Sequence, residues 1–337
     1  MATTPLPLMQ LHELVPGQRA DFFAQLLDRT PGTTREGRPY LHCRFRDARR
    51  TASLMIWSED RWFVPAQNDW QPGQFYKLRA VYSEHERYGP QLELFNLRPV
   101  NEADQAAGFD PAQCVPTSRQ PPSLLLGELR TLANQHIADP TLQALVLQLL
   151  ELHAETLLRL PASRDRAYSH SGGWLEHTVA VTRLAIDLAN RYAELYPDLR
   201  PPLNCDLVVA GAILHDIGRV LEFDDEQPLP GYTIAGRLIG PAVLGRDLVR
   251  EAARQIEGLN PELLALLEHI VLTPLVPNEG GGLRWSLLPE GLLVQYAADL
   301  DNKMALYVRC LSREGGIGPF TERDPVLGRV LLRQRGS

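Results

Sequence analysis

The sequence is short of lysine, of paired cysteines and of long apolar runs, and each shortage excludes something. Lys77 and Lys303 are the two lysines, so nearly all basic side chains are arginine. Arginine suits bidentate contact with phosphate, although genome base composition produces the same bias. A net charge of −7 excludes a broadly basic nucleic-acid binder. The charge is uneven: residues 1–100 carry 13 Lys+Arg against 11 Asp+Glu, a balance of +2 that leaves −9 in the remainder. Cys43, Cys114, Cys205 and Cys310 are scattered, which excludes a zinc clip or a disulfide framework and fits buried thiols in a reducing cytoplasm. No apolar run approaches the roughly 18 residues of a spanning helix. The first ten residues lack the basic start and apolar core of a signal peptide. A cytoplasmic protein without a membrane segment is expected. With 337 residues, 44% hydrophobic and 22% charged, one large or two ordinary globular domains are expected.

What is present divides into two halves. Residues 11–100 read as β. The run 19–27 is closed by Thr30-Pro31-Gly32. In 40–45, Leu41, Cys43 and Phe45 alternate with His42, Arg44 and Arg46. In 52–57, Leu54 and Ile56 oppose Met55 and Trp57. Runs 75–82 and 91–97 follow, the second after Tyr88-Gly89-Pro90. Five short strands with Gly/Pro turns predict a small β-barrel, with an OB-fold as the natural candidate. Its second and third strands would carry Arg44, Arg46 and Trp57 on the face that holds single strands by stacking and charge. These are equally ordinary solvated strand positions.

Residues 101–122 are polar, proline-rich and without period, which reads as a linker. The segment 123–313 reads as all-α. Helices are predicted from Ser123 to about 137, from the Asp139-Pro140 cap to about 160, over 174–196, from Pro241 to about 256, over 262–272 and over 292–311. The tail, 314–337, is expected to end loosely. Among the helices, 207–220 (LVVAGAILHDIGRV) is apolar all round before it places His215 beside Asp216. Such a run reads as a buried helix opened by Asn204 or Asp206. A buried histidine and carboxylate are costly unless a metal or a fixed hydrogen-bond partner satisfies them. His177 lies on a stripe with Val181, Leu184 and Leu188, so it faces the core. Asp301 shares a stripe with Ala297, Met304 and Val308, while Asp299 stands four residues before Lys303, also the spacing of a surface ion pair. His177, His215, Asp216 and a late Asp (Asp299 or Asp301) would hold a hard or borderline divalent cation such as Mn²⁺, Mg²⁺, Fe²⁺ or Zn²⁺. Read singly, each histidine is as well explained as a hydrogen-bonded core residue.

GGWLEHT, then LHDIGR, then a late Asp resemble the HD-domain metal-dependent phosphohydrolases. REGRPYLHCRFRD and TASLMIW in the barrel, with LYPDL, AGAILHDIGRVLEF, EHIVL and LDNKM, are similar to the YhaM-type 3′-5′ exoribonucleases, which join an OB-fold to an HD domain in this order. The resemblance spans most of 12–310. It implies metal-dependent removal of nucleotides from the 3′ end of single-stranded RNA, RNA rather than DNA, with the barrel guiding the strand. By that resemblance His177, His215 and Asp216 are metal ligands and His269 is retained. If the site is active, Lys303 or Arg219 would stabilise charge on phosphate oxygens, and Tyr168 and His170 would contact the strand.

The sequence departs from that pattern at Pro241, where the family has a metal-binding His, at Pro274-Leu275, where it has a His pair, and at Ala298, where it has an Asp. These departures imply one metal rather than two. They also open a second reading, a catalytically degenerate HD-domain protein that binds a single strand or a partner. A nucleotide phosphohydrolase is a third, which the barrel argues against.

Overall fold

The structure is a computed structural model. It describes residues 7–34, 36–85, 89–116, 118–164, 166–224, 230–273, 286–312, 319–321, 323–324 and 326–333. The chain divides into two compact units, residues 1–117 with 310–337, and residues 118–309.

The first unit is built on five strands: β1 (Arg19–Thr33), β2 (Pro39–Arg46), β3 (Thr51–Trp57), β4 (Phe75–His85) and β5 (Gly89–Pro99). The order β1-β2-β3-β5-β4 closes on itself, because β1 pairs antiparallel with both β2 and β4. The period-two alternation sets the faces: Leu41, Cys43, Phe45, Ala52, Leu54 and Ile56 point inward and are buried. Tyr76, Leu78, Ala80 and Tyr82 of β4 do the same. β1 does not stop at Thr30-Pro31-Gly32 but pairs with β2 through Thr33. Its pairing with β4 covers only Arg19–Gln25, so beyond that point β1 has one neighbour. A proline is tolerated where one side of a strand is unpaired. A short helix, α1 (Phe63–Asn68), follows β3.

Within the expected linker, residues 103–114 are packed. α2 (Ala103–Ala106) buries Asp104, which accepts from both Arg98 guanidinium nitrogens at 2.6 Å. Phe109 lies against the rings of Phe23 and Phe75, with centroids 5.1 and 5.4 Å apart. Part of the expected loose tail is also ordered, through the bridges Phe320↔Leu332 and Asp324↔Arg329. Asp324 turns the chain there by accepting from the amides of Val326 and Leu327 at 2.8 and 2.9 Å.

The second unit is helical: α3 (Pro122–His136), α4 (Pro140–Leu152), α5 (Ala154–Leu157), α6 (Gly173–Leu195), α7 (Cys205–Leu214), α8 (Arg219–Glu222), α9 (Ile234–Leu238), α10 (Pro241–Ala253), α11 (Pro261–Leu272) and α12 (Pro289–Ser312), whose last residues belong to the first unit. α4 starts where Asp139 caps the amides of Thr141 and Leu142, but ends at Leu152, short of the expected 160. Asn204, rather than Asp206, caps α7. Every α7 residue from Leu207 to Leu214 is buried, as its all-round apolar pattern requires. Pro241 occupies the first turn of α10, where its missing N–H costs nothing. Pro274 and Leu275 lie outside the described residues. No helix among the described residues is long and apolar enough to cross a membrane.

Candidate metal centre

The site forms where α7 ends. The helix stops at Leu214, and His215, Asp216, Ile217 and Gly218 make a tight turn into α8. Gly218 has to be glycine: a Cβ there would lie 2.0 Å from the Pro241 carbonyl oxygen. α10 therefore packs directly on the turn. Trp174 fixes it from the other side, its indole N–H donating to the Asp216 carbonyl at 2.9 Å. α6 is started by Gly172, in the left-handed region at φ 72°, and by Gly173, which packs against the Tyr168 carbonyl. This explains the Gly-Gly pair. One turn later His177, fully buried, faces His215.

The hydrogen bonds define the tautomers. His215 Nδ1 is 2.8 Å from the Ala212 carbonyl oxygen. A carbonyl only accepts, so Nδ1 carries the proton and Nε2 the lone pair. His177 Nδ1 is 2.7 Å from Asp301 Oδ2, which turns its Nε2 toward His215. The two Nε2 atoms are 3.4 Å apart. Burial, reinforced by the neighbouring His177, holds the His215 pKa below the ordinary histidine value, against the pull of Asp216. It is therefore neutral and ligand-competent. Asp216 completes the group, the ligand atoms of His177, His215 and Asp216 lying within 4.8 Å of one another. Burial pushes Asp216 upward, but the charge of Arg219, reinforced by its hydrogen bond, helps to outweigh it and hold the carboxyl below its usual range. Two imidazole nitrogens and a carboxylate are the donor set of a borderline divalent cation, with further positions open for water or substrate. The residues fit such an ion.

Asp301 stands behind His177 rather than in that cluster. Its second oxygen accepts from the Tyr168 hydroxyl at 3.1 Å. Burial, and then the Asp301 charge, raise the Tyr168 pKa, so the phenol stays protonated and donates. Tyr168 is also, among the described residues, the non-glycine residue with positive φ, at 54°. A carboxylate behind a ligating histidine fixes its ring and tautomer. The expected inward stripe around Asp301 is corrected in part: Ala297 is buried, but Met304 and Val308 are exposed.

The remaining expected residues are placed elsewhere. Asp299 accepts from Lys303 Nζ at 2.6 Å, four residues on along α12, in an exposed pair. His269 Nε2 accepts from the Leu287 amide at 2.9 Å and so joins the end of α11 to the approach of α12. Arg219 donates to Asp216 at 3.1 Å and to Glu222 at 2.6 Å, so both arms are engaged by carboxylates. His170 is 2.9 Å from Glu176. Ala298, at the family's Asp position, is fully buried among apolar residues. In the first unit, Arg44 binds both oxygens of Asp28, with Nε at 3.0 and 2.8 Å. Arg46 donates to Gln25 at 2.9 Å, and burial pushes its pKa down to about 10. Trp57 is 46% exposed, with the Tyr40 ring 5.6 Å away.

Sequence reading missed Trp174 and Glu222. The three-residue spacing of Asp216, Arg219 and Glu222 is a signal for the second; no local signal marks an indole that bonds to a distant carbonyl.

Residues 174–302 match the family described as HD domain. The chain is 26% identical to the "3'-5' exoribonuclease YhaM" of Geobacillus sp. (strain WCH70) over 340 residues, covering 95% of this chain and 96% of that protein. It is 26% identical to the protein of that name from Bacillus subtilis (strain 168), covering 94% of each. With the one from Oceanobacillus iheyensis it shares 27% identity over 91% of each.

Proposed function

We propose that this chain, which carries an HD domain and resembles the YhaM 3′-5′ exoribonucleases along nearly its whole length, is itself a metal-dependent 3′-5′ exoribonuclease acting on single-stranded RNA. One observation carries the reading: two buried histidines turn their Nε2 atoms toward each other at 3.4 Å beside an ionised carboxylate, the three ligand atoms within 4.8 Å of one another. A cation bound between them would satisfy these buried polar atoms.

His177, His215 and Asp216 would hold one divalent ion, which would supply an activated water and neutralise charge on the scissile phosphate. Asp301 keeps the His177 proton on Nδ1, and Tyr168 holds Asp301. Arg219 orients Asp216 and keeps it ionised, which places Arg219 with the ligand rather than on the phosphate. The closed five-stranded sheet is read as an OB-fold whose exposed Trp57 and Tyr40 stack bases. Residues 123–313 are the catalytic domain, and the protein works in the cytoplasm. A degenerate, strand-binding protein is the second reading, favoured by Pro241 and Ala298 at two of the family's ligand positions.

Elemental analysis of the purified protein beside its His215→Ala variant tests the reading, followed by digestion of a 5′-labelled single strand with Mn²⁺. About one equivalent of metal, lost in the variant, and a ladder shortening from the 3′ end are expected. No bound metal and no thermal shift with Mn²⁺, Mg²⁺ or Zn²⁺ would sink it.

A further inference from the structure

A second cluster stands beside the metal centre, and nothing above gives it a role. Tyr232 is half-buried, bridges Phe223 as an isolated antiparallel pair and packs on its ring, with centroids 5.1 Å apart. The next residue, Thr233, donates its amide to the Glu222 carbonyl at 2.9 Å and caps α9 through the Gly236 amide at 2.8 Å. Gly236 is pressed on the same carbonyl, where a Cβ would lie 2.2 Å from the oxygen. Glu222 is the residue that shares Arg219 with Asp216. Tyr232 is thus anchored through a short chain of contacts to the candidate ligand Asp216.

Two arginines converge on this ring. The Arg237 guanidinium carbon lies 4.3 Å from the ring centroid and that of Arg164 lies 5.7 Å from it. Both side chains are exposed, and neither has a carboxylate partner among the described residues. Other arginines near the centre are engaged: Arg219 by two carboxylates and Arg119 by Glu176. Arg164 belongs to the loop that carries Tyr168 to His177, so the cluster joins two segments that flank the centre. Two exposed guanidinium groups thus stand on one ring with their charges turned to solvent, in a chain of net charge −7. The guanidinium fork matches phosphate oxygens, and an aromatic face holds the fork in place.

Resting on the exoribonuclease reading, we infer that Arg164 and Arg237, positioned by Tyr232, form a subsite that grips the phosphodiester backbone of the RNA strand next to the nucleotide being removed. No bond is made or broken there. The subsite holds the strand against the metal centre between cleavages.

The test uses the full chain, with EDTA present so that binding is read without turnover. Binding of a fluorescein-labelled 12-nucleotide RNA is followed by anisotropy over a series of NaCl concentrations. The Arg164→Ala/Arg237→Ala variant is expected to bind at least about 10-fold more weakly. Its salt slope should fall by roughly 1.4, the loss of two single-strand phosphate contacts. Tyr232→Leu should move the same way by a smaller factor, and Tyr232→Phe, which keeps the ring, should bind like the unsubstituted protein. Unchanged affinity and slope in the double variant would overturn the subsite, as would an unsubstituted protein that binds no RNA. Equal weakening for a nucleoside 5′-monophosphate would also overturn it, since the phosphate held would then be that of a free nucleotide. Hydrolysis of bis(p-nitrophenyl) phosphate by the unsubstituted, Mn²⁺-loaded protein is the control for the centre itself. If the unsubstituted protein fails to hydrolyse it, the catalytic reading falls, while the binding series still decides the subsite.

Discussion

The barrel and the helical unit treat their polar side chains in opposite ways. On the barrel, the arginines that look like a binding surface are engaged by their own neighbours: Arg44 by Asp28, Arg46 by Gln25, Arg79 by Asp21 and Arg98 by Asp104. In the helical unit, His177 and His215 are buried, and their Nε2 atoms face each other at 3.4 Å beside Asp216. Exposed charge is inexpensive and is easily absorbed into surface pairs worth about 0–1 kcal/mol. Buried polar groups are expensive and persist where something satisfies them. Buried polar side chains brought together from separate helices, more than exposed charge, therefore mark the chemical centre of this molecule.

The comparison would break most visibly at the metal. His215→Ala and Asp216→Asn should each abolish metal binding and 3′-end digestion, as read by elemental analysis and RNA ladders. Retained metal in both would show that the three-residue cluster is not the ligand set. Asp301→Asn should weaken metal affinity by about 10- to 100-fold, the usual effect of removing a carboxylate behind a ligating histidine. Tyr168→Phe should have a smaller effect in the same direction. If Asp301→Asn removed the metal as completely as His215→Ala, Asp301 would be a ligand itself.

On the barrel, Trp57→Ala should cost about 1–3 kcal/mol of single-strand affinity if the ring stacks a base. Arg44→Ala should cost less than about 1 kcal/mol in affinity or stability, because the arginine is already paired with Asp28. An Arg44 effect larger than that of Trp57 would reverse the reading of this face. The Arg98 hydrogen bond is the main cause that brings Asp104 down to about 2 from 3.8. A carboxyl depressed in the folded state adds stability above its unfolded pKa and loses it as pH falls through the folded value. Thermal melts should therefore show a loss between about pH 4 and 2 that Arg98→Ala removes.

Much was legible beforehand, for reasons that are local. Alternation in 40–45 and 52–57 marks strands because side chains on a pleated strand switch faces at every residue. Asp139-Pro140 and Asn260-Pro261 announce α4 and α11 because a side-chain oxygen caps free amides where proline needs no partner. His177, His215 and Asp216 stood out because polar groups in apolar periodic segments demand a partner. The end of β1 and the packing of 103–114 are not legible locally, because both depend on neighbours distant in sequence. A strand with one free side accepts Pro31, and a polar stretch packs once Asp104 meets Arg98.

Residue order thus marked α7 as buried and the starts of α4 and α11, since periodicity and capping act within a few residues. It could not settle what each polar atom faces. Asp299 and Asp301 lie two residues apart on α12 and were equal candidates. Folding gives one of them a lysine on the same helix and the other the buried ring of His177, carried by α6. His269 acquires its partner, the Leu287 amide, in the same way. A hydrogen bond is a matter of a few tenths of an ångström and of direction, and only the packing of whole helices sets those.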